Sequence, residues 1–239
     1  MSEHFVLKNG VAIPAVGFGT YKATAQGPEA LEAAIKAGYR HFDTASFYGN
    51  EAILGEAVRK SGVPRRDFFI TTKLWKADMG YETTLRAAEN SLKALGTDYL
   101  DLYLIHWPRP DLSADWRTLD AETWRAMEKL YEDGLCRDVG VSNFLIPHLE
   151  NIEQSCRVLP MVNQIEFHPG YLQWDTVAYC RKNGILPEAW SPLGRGRVLN
   201  HPLLCKIAAG YGVSVAQLCV RFALQNGVLP LLKRTSAAR

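Results

Sequence analysis

Residues 68–106 read FFITTKLWKADMGYETTLRAAENSLKALGTDYLDLYLIH, and this stretch contains one complete unit of the fold. Its two ends, FFITTKL and LDLYLIH, are short runs rich in β-branched, aromatic and other apolar residues, which are typical of buried strands. The apolar residues between them have helical spacing and stop before Gly96; they are Tyr81, Leu85, Ala88, Leu92 and Leu95. The order strand, helix, strand predicts two parallel strands joined by a right-handed crossover.

The same alternation continues on both sides of this unit. The further strand patterns are AVGFG (15–19), HFDTA (41–45), RDVGVS (137–142), MVNQIEF (161–167), ILPEAW (185–190) and VLPLLK (228–233). The further helices are predicted at 28–37, after Asn50, behind a cap at Asp120, around 148–155, around Trp174 and behind a capping box of Ser214 and Gln217. Eight strands that alternate with seven helices predict an α/β fold, a (β/α)8 barrel, as a single domain over residues 1–239.

The first dozen residues alternate apolar and polar positions around the dipeptide Asn9-Gly10. This pattern predicts an N-terminal β-hairpin that is closed by a type I′ turn. The competing fold is an open doubly wound sheet, which normally has a G-x-G-x-x-G turn after its first strand. Gly17-Phe18-Gly19 begins such a turn, but residue 22 is Lys, so the sequence favours the barrel.

The composition indicates a globular protein without a polyanionic partner. The 239 residues are 47% hydrophobic, and 27 basic against 25 acidic side chains give a net charge of +2, so we expect no nucleic-acid or membrane partner. The five cysteines are widely spaced, and the sequence contains no signal-like or membrane-spanning stretch, so we expect a cytoplasmic protein. We also expect a monomer. Between 191 and 239 there are seven basic and no acidic residues, which indicates either an anion site or a lost acidic tail.

Polar residues follow the predicted barrel strands from the second to the eighth. They are Asp43, Lys73, His106, Ser142 with Asn143, Gln164, Ser191 and Lys233. The C-terminal ends of barrel strands share one rim, so we expect these side chains to converge there. Each one alone also fits a structural role, such as a cap or a hydrogen-bonded core residue, but the whole series favours a functional site.

Tyr48, in the loop after the second strand, completes a set that can deliver a proton to a carbonyl oxygen. A phenol has an ordinary pKa of about 10, and the ammonium group of Lys73 is expected to lower it. Asp43 would hold that ammonium in place, and a neutral His106 would orient the carbonyl group. The carbonyl carbon must then receive a hydride, which requires a nicotinamide or flavin cofactor. No H-E-x-x-H motif or carboxylate cluster indicates a metal.

Six segments of the sequence closely resemble the aldo-keto reductase family. They are GYRHFDTASFYGNEAILG (38–55), ITTKLW (70–75), LDLYLIHWP (100–108), GVSNF (140–144), NQIEFHP (163–169) and SPLGRG (191–196). The resemblance covers nearly the whole chain and is greatest to bacterial reductases related to 2,5-diketo-D-gluconate reductase. It implies a (β/α)8 barrel that reduces aldehydes or ketones to alcohols with NADPH.

The resemblance also implies roles for individual residues. The implied catalytic residues are Asp43, Tyr48, Lys73 and His106. The implied cofactor-binding residues are Gly19, Thr20, Asp43, Ser142, Asn143, Gln164, Trp190, Ser191, Leu193, Lys233, Arg234, Thr235 and Arg239. Among these, Trp190 would stack on the nicotinamide ring. The family's Lys-Ser-x-x-x-x-Arg pattern for the 2′-phosphate has Arg234 in place of Ser here, so we expect the preference for NADP to survive or increase.

The expected substrate is a small carbonyl compound. The residues that would contact it are Tyr21, Trp75, His106 and Trp107. Ordinary barrel packing is an equal alternative for Trp75. Compared with the family, the final helix and C-terminal loop are absent from this sequence, either because residues were left out or because the chain is truncated. A truncated chain keeps a second function open, namely an NADPH-binding regulatory or partner-binding barrel with negligible turnover.

Overall fold

The computed structural model describes residues 3–25, 27–108 and 115–232. Two short strands come first, β1 (His4–Val6) and β2 (Ala12–Pro14). The barrel strands are β3 (Gly17–Gly19), β4 (His41–Asp43), β5 (Phe69–Leu74), β6 (Leu100–Ile105), β7 (Cys136–Ser142), β8 (Val162–Glu166), β9 (Leu186–Trp190) and β10 (Leu229–Leu232). The α-helices are α1 (Glu29–Lys36), α2 (Glu51–Lys60), α3 (Tyr81–Leu95), α4 (Trp116–Glu132), α5 (Ile146–Glu153), α6 (Trp174–Lys182), α7 (Pro202–Gly210) and α8 (Val215–Gln225).

The strands β3 to β10 form a closed barrel in which neighbouring strands are parallel. Their order around the barrel follows the sequence, and β10 closes the ring by pairing with β3. Crossover helices such as α3 bury an apolar stripe, which in α3 includes Ala88 and Leu95. The predicted (β/α)8 barrel is therefore confirmed.

Two details of the helices differ from the expectation. The described residues form eight α-helices rather than seven, because α7 and α8 both lie in the last crossover. Pro202 in the first turn of α7 is a typical helix start, so the sequence did contain a signal for this helix. The prediction that Asp120 caps α4 is wrong. The helix begins a turn earlier, at Trp116, and Asp120 is buried inside it.

The lengths and hydropathy of the α-helices show whether any of them could span a membrane. Within the ranges given above, no single helix is long and apolar enough to cross a membrane. The helices α7 and α8 meet the length and composition criteria only as a pair, and an 85° bend separates them.

The N-terminal hairpin packs against the N-terminal ends of the barrel strands. Leu7 and Ile13 are buried there in one cluster with Phe69, Leu102 and Leu229, which begin or lie early in their strands. Burial of these side chains removes the apolar end of the barrel interior from water. The hairpin that the alternating pattern predicts is thus confirmed, and its place in the fold explains its apolar face.

The predicted type I′ turn of this hairpin is wrong. Leu7 and Val11 pair across a three-residue loop, in which Gly10 alone has a positive φ, at 88°. A type I′ turn needs positive φ at both central residues, whereas a three-residue loop needs it only at the last. The side chain of Asn9 accepts a hydrogen bond from the Val11 amide at 3.2 Å and donates one to Asp138 at 2.7 Å. The contact with the barrel therefore holds Asn9 in the longer loop.

Asp138 gives this contact a pH dependence. Burial raises the pKa of Asp138 to about 6, and hydrogen bonding by Asn9 only partly opposes this effect. The folded state binds the proton more tightly than the unfolded state, so Asp138 makes the free energy of unfolding fall as pH rises from about 4 to about 6. Replacement by Asn keeps an acceptor for Asn9 and removes the charge.

We expect D138N to be more stable than the wild type by up to about 3 kcal/mol at pH 7, and nearly equal to it below pH 4. Urea unfolding of both proteins at pH 4 and pH 7 measures the difference. Titration of other groups cancels in this comparison because both proteins contain them. A stability difference that is the same at both pH values would contradict the shifted pKa.

The interior of the barrel changes from apolar to polar toward the C-terminal ends of the strands. Five of its buried polar side chains are His41, Asp43, Lys73, Gln164 and Glu188. Burial of a polar or charged group is costly unless the group is paired or hydrogen-bonded. These side chains must therefore satisfy one another, and the contacts among them shape the site described next.

Candidate active site

A cavity of about 660 Å³ opens at the C-terminal ends of the barrel strands. The predicted residues that line it are Gly19, Tyr21, Asp43, Tyr48, Trp75, His106, Trp107, Ser142, Asn143, Gln164, Trp190, Ser191 and Leu193. They lie on seven of the strands or in the loops that directly follow them, as the shared rim of a parallel barrel predicts. Folding therefore brings these distant parts of the sequence to one place.

Tyr48 lies in a short 3₁₀ helix, Ser46–Tyr48, directly after β4. The hydroxyl of Ser46 donates to the carbonyl oxygen of Lys73 at 3.0 Å, so this turn is attached to the end of β5. Gly49 follows with a φ of 65°, a conformation that favours glycine and lets the chain turn into α2. Both features fix the Tyr48 ring over the Lys73 side chain.

Lys73 and Asp43 form a buried ion pair. The Lys73 Nζ donates to both carboxylate oxygens of Asp43 at 2.7 Å and to the carbonyl oxygen of Thr44 at 2.9 Å. Burial by itself would lower the pKa of Lys73, but the charge of Asp43, its hydrogen bonds and the nearby Tyr48 and Glu188 together outweigh this effect, and the pKa lies above its usual value. Lys73 is therefore charged at neutral pH.

Tyr48 meets the Lys73 ammonium, as expected, but its pKa shifts in the opposite direction to the expected one. The Lys73 Nζ lies 5.3 Å from the centre of the Tyr48 ring, close enough for its charge to act on the phenol. Burial raises the pKa of Tyr48 and outweighs the lowering by Lys73, so the pKa lies above the ordinary value of 10.0. Tyr48 therefore stays protonated at neutral pH and keeps a proton that it can donate.

His106 lies beside Tyr48 in the cavity. Its ring is edge-on to that of Tyr48, with 5.7 Å between centroids, and to that of Trp75, with 5.2 Å. Burial, together with the positive charge of Lys73, lowers the pKa of His106 to about 3. The imidazole is thus neutral at physiological pH, in agreement with the state expected from the sequence.

Three hydrogen bonds hold the side chain of Asn143 at the cavity wall. Its Nδ2 donates to the carbonyl oxygen of His106 at 3.0 Å and to the hydroxyl of Ser142 at 3.1 Å. Its Oδ1 accepts the indole N–H of Trp190 at 2.8 Å. Asn143 has a φ of 63°, which Asn tolerates better than most residues. The bond to Trp190 fixes the flat face of the indole beside the polar groups of this wall.

Five predicted cofactor-binding residues remain, of which the structure describes only Thr20, and Thr20 does not line the cavity. Thr20 is fully buried, and its carbonyl oxygen accepts a hydrogen bond from Asn50 at 3.0 Å. The other four, Lys233, Arg234, Thr235 and Arg239, lie outside the described residues. In the part of the chain that the structure describes, no group of three His, Cys, Asp or Glu side chains could hold a metal ion.

The cavity also contains residues that the sequence reasoning missed. They are Lys22, Phe47, Pro192, Gly196 and Leu231, while Arg195 also lines the cavity from the glycine-arginine turn after Leu193. Phe47 stacks on Trp75 with 3.9 Å between ring centroids, and 54% of its surface is exposed. Because Phe47 directly precedes Tyr48 in the sequence, its place at the cavity could have been predicted. The Arg195 guanidinium lies 5.4 Å from the centre of the Trp190 ring, so a cation also faces this cavity.

Several proteins of known sequence resemble this chain. A model of the Aldo/keto reductase family matches residues 15–239. The glyoxal reductase of Bacillus subtilis is 48% identical over 229 residues, which are 95% of this chain and 80% of that protein. The morphine 6-dehydrogenase of Pseudomonas putida is 42% identical over 247 residues, with 98% of this chain and 82% of that protein covered. These relatives do not confirm the narrower resemblance to 2,5-diketo-D-gluconate reductases.

Solved structures lead to the same conclusion. An aldo/keto reductase from Brucella melitensis is 44% identical and superimposes with a TM-score of 0.93, covering 100% of this chain and 91% of that one. An aldo-keto reductase crystallised with NADPH is 33% identical, with a TM-score of 0.88 over 98% of this chain and 79% of that one. Family model, sequence identity and structure all agree, and the chain belongs to the aldo/keto reductase family.

Proposed function

We propose that the chain reduces small aldehydes or ketones to alcohols with NADPH, and that Tyr48 donates the proton to the carbonyl oxygen. As an aldo/keto reductase the chain is an NADP-dependent oxidoreductase. The observation that carries the finer proposal is the meeting of Asp43, Tyr48 and His106 at one cavity. Lys73 does not line this cavity but is fully buried, where it pairs with Asp43 and lies 5.3 Å from the centre of the Tyr48 ring. A complete set of this kind argues against a barrel that only binds the cofactor.

Burial and the Lys73 charge shift the pKa of Tyr48 in opposite directions, and each matters at a different stage of the reaction. Burial keeps the phenol protonated before the reaction, because it disfavours the charged phenolate. When Tyr48 gives up its proton, the phenolate forms beside the buried ammonium of Lys73, which stabilises it. Asp43 holds that ammonium in place through two hydrogen bonds. The neutral ring of His106 can hydrogen-bond the carbonyl oxygen and hold it near the phenol.

The cavity walls fit a nicotinamide dinucleotide. Gln164 directs its side-chain N–H groups to two buried carboxyl groups, which leaves its amide oxygen for a ligand in the cavity that it lines. Ser142, Asn143 and Gln164 would hold the carboxamide, and Trp190 would stack on the ring. Ser191 and Leu193 would lie along the pyrophosphate, and Lys233, Arg234, Thr235 and Arg239 would hold the 2′-phosphate. When bound, NADPH supplies the hydride that side chains cannot.

Aromatic side chains at the mouth of the cavity favour a small, largely apolar carbonyl substrate. Tyr21 is 46% exposed and Trp107 is 42% exposed, and the stacked pair of Phe47 and Trp75 lies beside them. Such surfaces bind apolar groups, while Tyr48 and His106 supply the polar corner.

The near balance of charge and the five free cysteines support a cytoplasmic protein without a nucleic-acid partner, and we propose that it acts as a monomer.

Consumption of NADPH with small aldehydes tests this function. We expect the purified protein to oxidise NADPH in the presence of methylglyoxal, with weaker activity when NADH replaces NADPH, since the basic C-terminal residues favour the 2′-phosphate. Absorbance at the NADPH band measures the rate, and protein without aldehyde is the control. A panel of aldehydes, 2-oxo compounds and keto-sugars would then rank the substrates. Binding of NADPH without turnover on the whole panel would favour the regulatory barrel instead.

A further inference from the structure

The side-chain amide of Gln164 is held by two carboxyl groups. Its Nε2 donates to Asp43 Oδ2 at 2.8 Å and to Glu188 Oε2 at 2.6 Å. An amide nitrogen has two hydrogens, so both donors are used inside the barrel. Its remaining polar atom is Oε1, and Gln164 lines the cavity. Gln164 therefore presents an acceptor, and not a donor, to a molecule bound there.

Glu188 is an unusual residue to find at its position. It lies in the middle of β9, directly opposite Gln164 on β8, and it is fully buried. Burial of a carboxyl group is costly, and burial together with the charge of Asp43 raises the pKa of Glu188 to about 8. A neutral carboxyl group still offers an acceptor oxygen, so the bond from Gln164 persists in either protonation state.

A salt bridge does not explain the burial of Glu188. Its other oxygen lies 3.7 Å from Nε2 of His41, which also contacts the Thr71 hydroxyl at 3.2 Å. Burial lowers the pKa of His41 to about 3, so that ring is neutral and carries no charge to pair with. The shortest polar contact of Glu188 is the one with Gln164, and this contact points to its role.

We propose that Glu188 is a positioning residue of the nicotinamide subsite, which fixes the Gln164 amide so that its oxygen accepts an N–H of the cofactor's carboxamide. Asp43 alone fixes one N–H of Gln164 and leaves the second without a partner. The Glu188 carboxyl group on the neighbouring strand β9 accepts that second N–H and so fixes the plane of the amide. This inference rests on the proposed nicotinamide-binding role of Gln164, but it concerns binding and not proton transfer.

A cofactor analogue without the N–H donor isolates this contact. In the 3-acetylpyridine analogue of NADP⁺ a methyl ketone replaces the carboxamide, so the analogue cannot donate to Gln164. We expect the wild type to bind NADP⁺ about tenfold more tightly than the analogue, which corresponds to one well-formed hydrogen bond. Isothermal titration calorimetry gives both dissociation constants without any need for turnover.

In E188M, we expect NADP⁺ and the analogue to bind about equally, because the Gln164 amide can then turn its N–H toward the ligand. E188Q keeps an acceptor opposite Gln164 and should retain the preference. E128L is the matched control, since Glu128 is an equally buried acid on α4, outside the barrel, where it accepts the amide N–H of Val158. It should lose stability and keep the preference.

Unchanged discrimination in E188M would overturn the proposal, and so would a wild type that binds both ligands equally. If E188M does not fold, E188A removes the acceptor without adding bulk and is expected to give the same loss. Failure of the proposed function is a separate result. It would appear as an absence of carbonyl reduction in a wild type that still binds NADP⁺ in preference to the analogue.

Discussion

Replacement of Tyr48 by Phe is expected to lower kcat for carbonyl reduction by about 10³-fold, the usual contribution of a positioned general acid. The ring, with its contacts to Tyr21 at 4.9 Å and His106 at 5.7 Å, is retained, so the cavity should keep its shape. Only the donor is lost. The dissociation constant for NADPH should therefore stay close to that of the wild type. Single-turnover kinetics with methylglyoxal, together with a binding titration, measure both quantities.

Y103F is a matched control for the loss of a phenolic hydroxyl. Tyr103 is buried between the barrel and the helices, and its hydroxyl has no hydrogen-bond partner among the described residues. We expect Y103F to retain wild-type turnover. If Y48F also turned over at the wild-type rate, a different group would have to supply the proton, and the proposed mechanism would be wrong.

The architecture could be predicted because each strand and helix shows its own periodicity. The apolar run of β5, the stripe of α3 and the run of β6 define one unit, and its repetition defines the barrel. Helix α7 was missed because its apolar side chains do not form a buried stripe. Leu203 is 58% exposed and Ile207 is 38% exposed. The turn at Asn9-Gly10 was misjudged because the contact with Asp138, which is distant in sequence, holds the longer loop.

The site could be predicted in position but not in its electrostatics. Parallel strands bring their C-terminal ends to one rim, so Asp43, Lys73 and His106 could be expected there. The balance at Tyr48 could not, because the sequence does not reveal how deeply the hydroxyl is buried. Glu188 was missed for a related reason. It stands inside a strand rather than at its end, and only the pairing of β8 with β9 places it against Gln164.

Replacement of Lys73 by Met is expected to damage both stability and catalysis. The Asp43 carboxylate, which is 4% exposed, would lose the cation that donates to both its oxygens. Removal of one member of a buried ion pair typically costs about 3–5 kcal/mol, because the remaining charge is left uncompensated. Turnover should fall at least ~10²-fold, since the phenolate of Tyr48 would form without a neighbouring positive charge. Urea unfolding and steady-state kinetics measure the two losses.

The double variant D43N/K73M separates these losses. With both charges removed, no unpaired ion remains at this position, and the amide oxygen that replaces the Asp43 carboxylate can still accept the hydrogen bond from Gln164. Much of the lost stability should therefore return, whereas turnover should stay low because the ammonium beside Tyr48 is still missing. If turnover returned together with stability, Lys73 would act only through the fold. If both stayed low, the packing of the lysine chain, and not its charge, would be the main contribution of this residue.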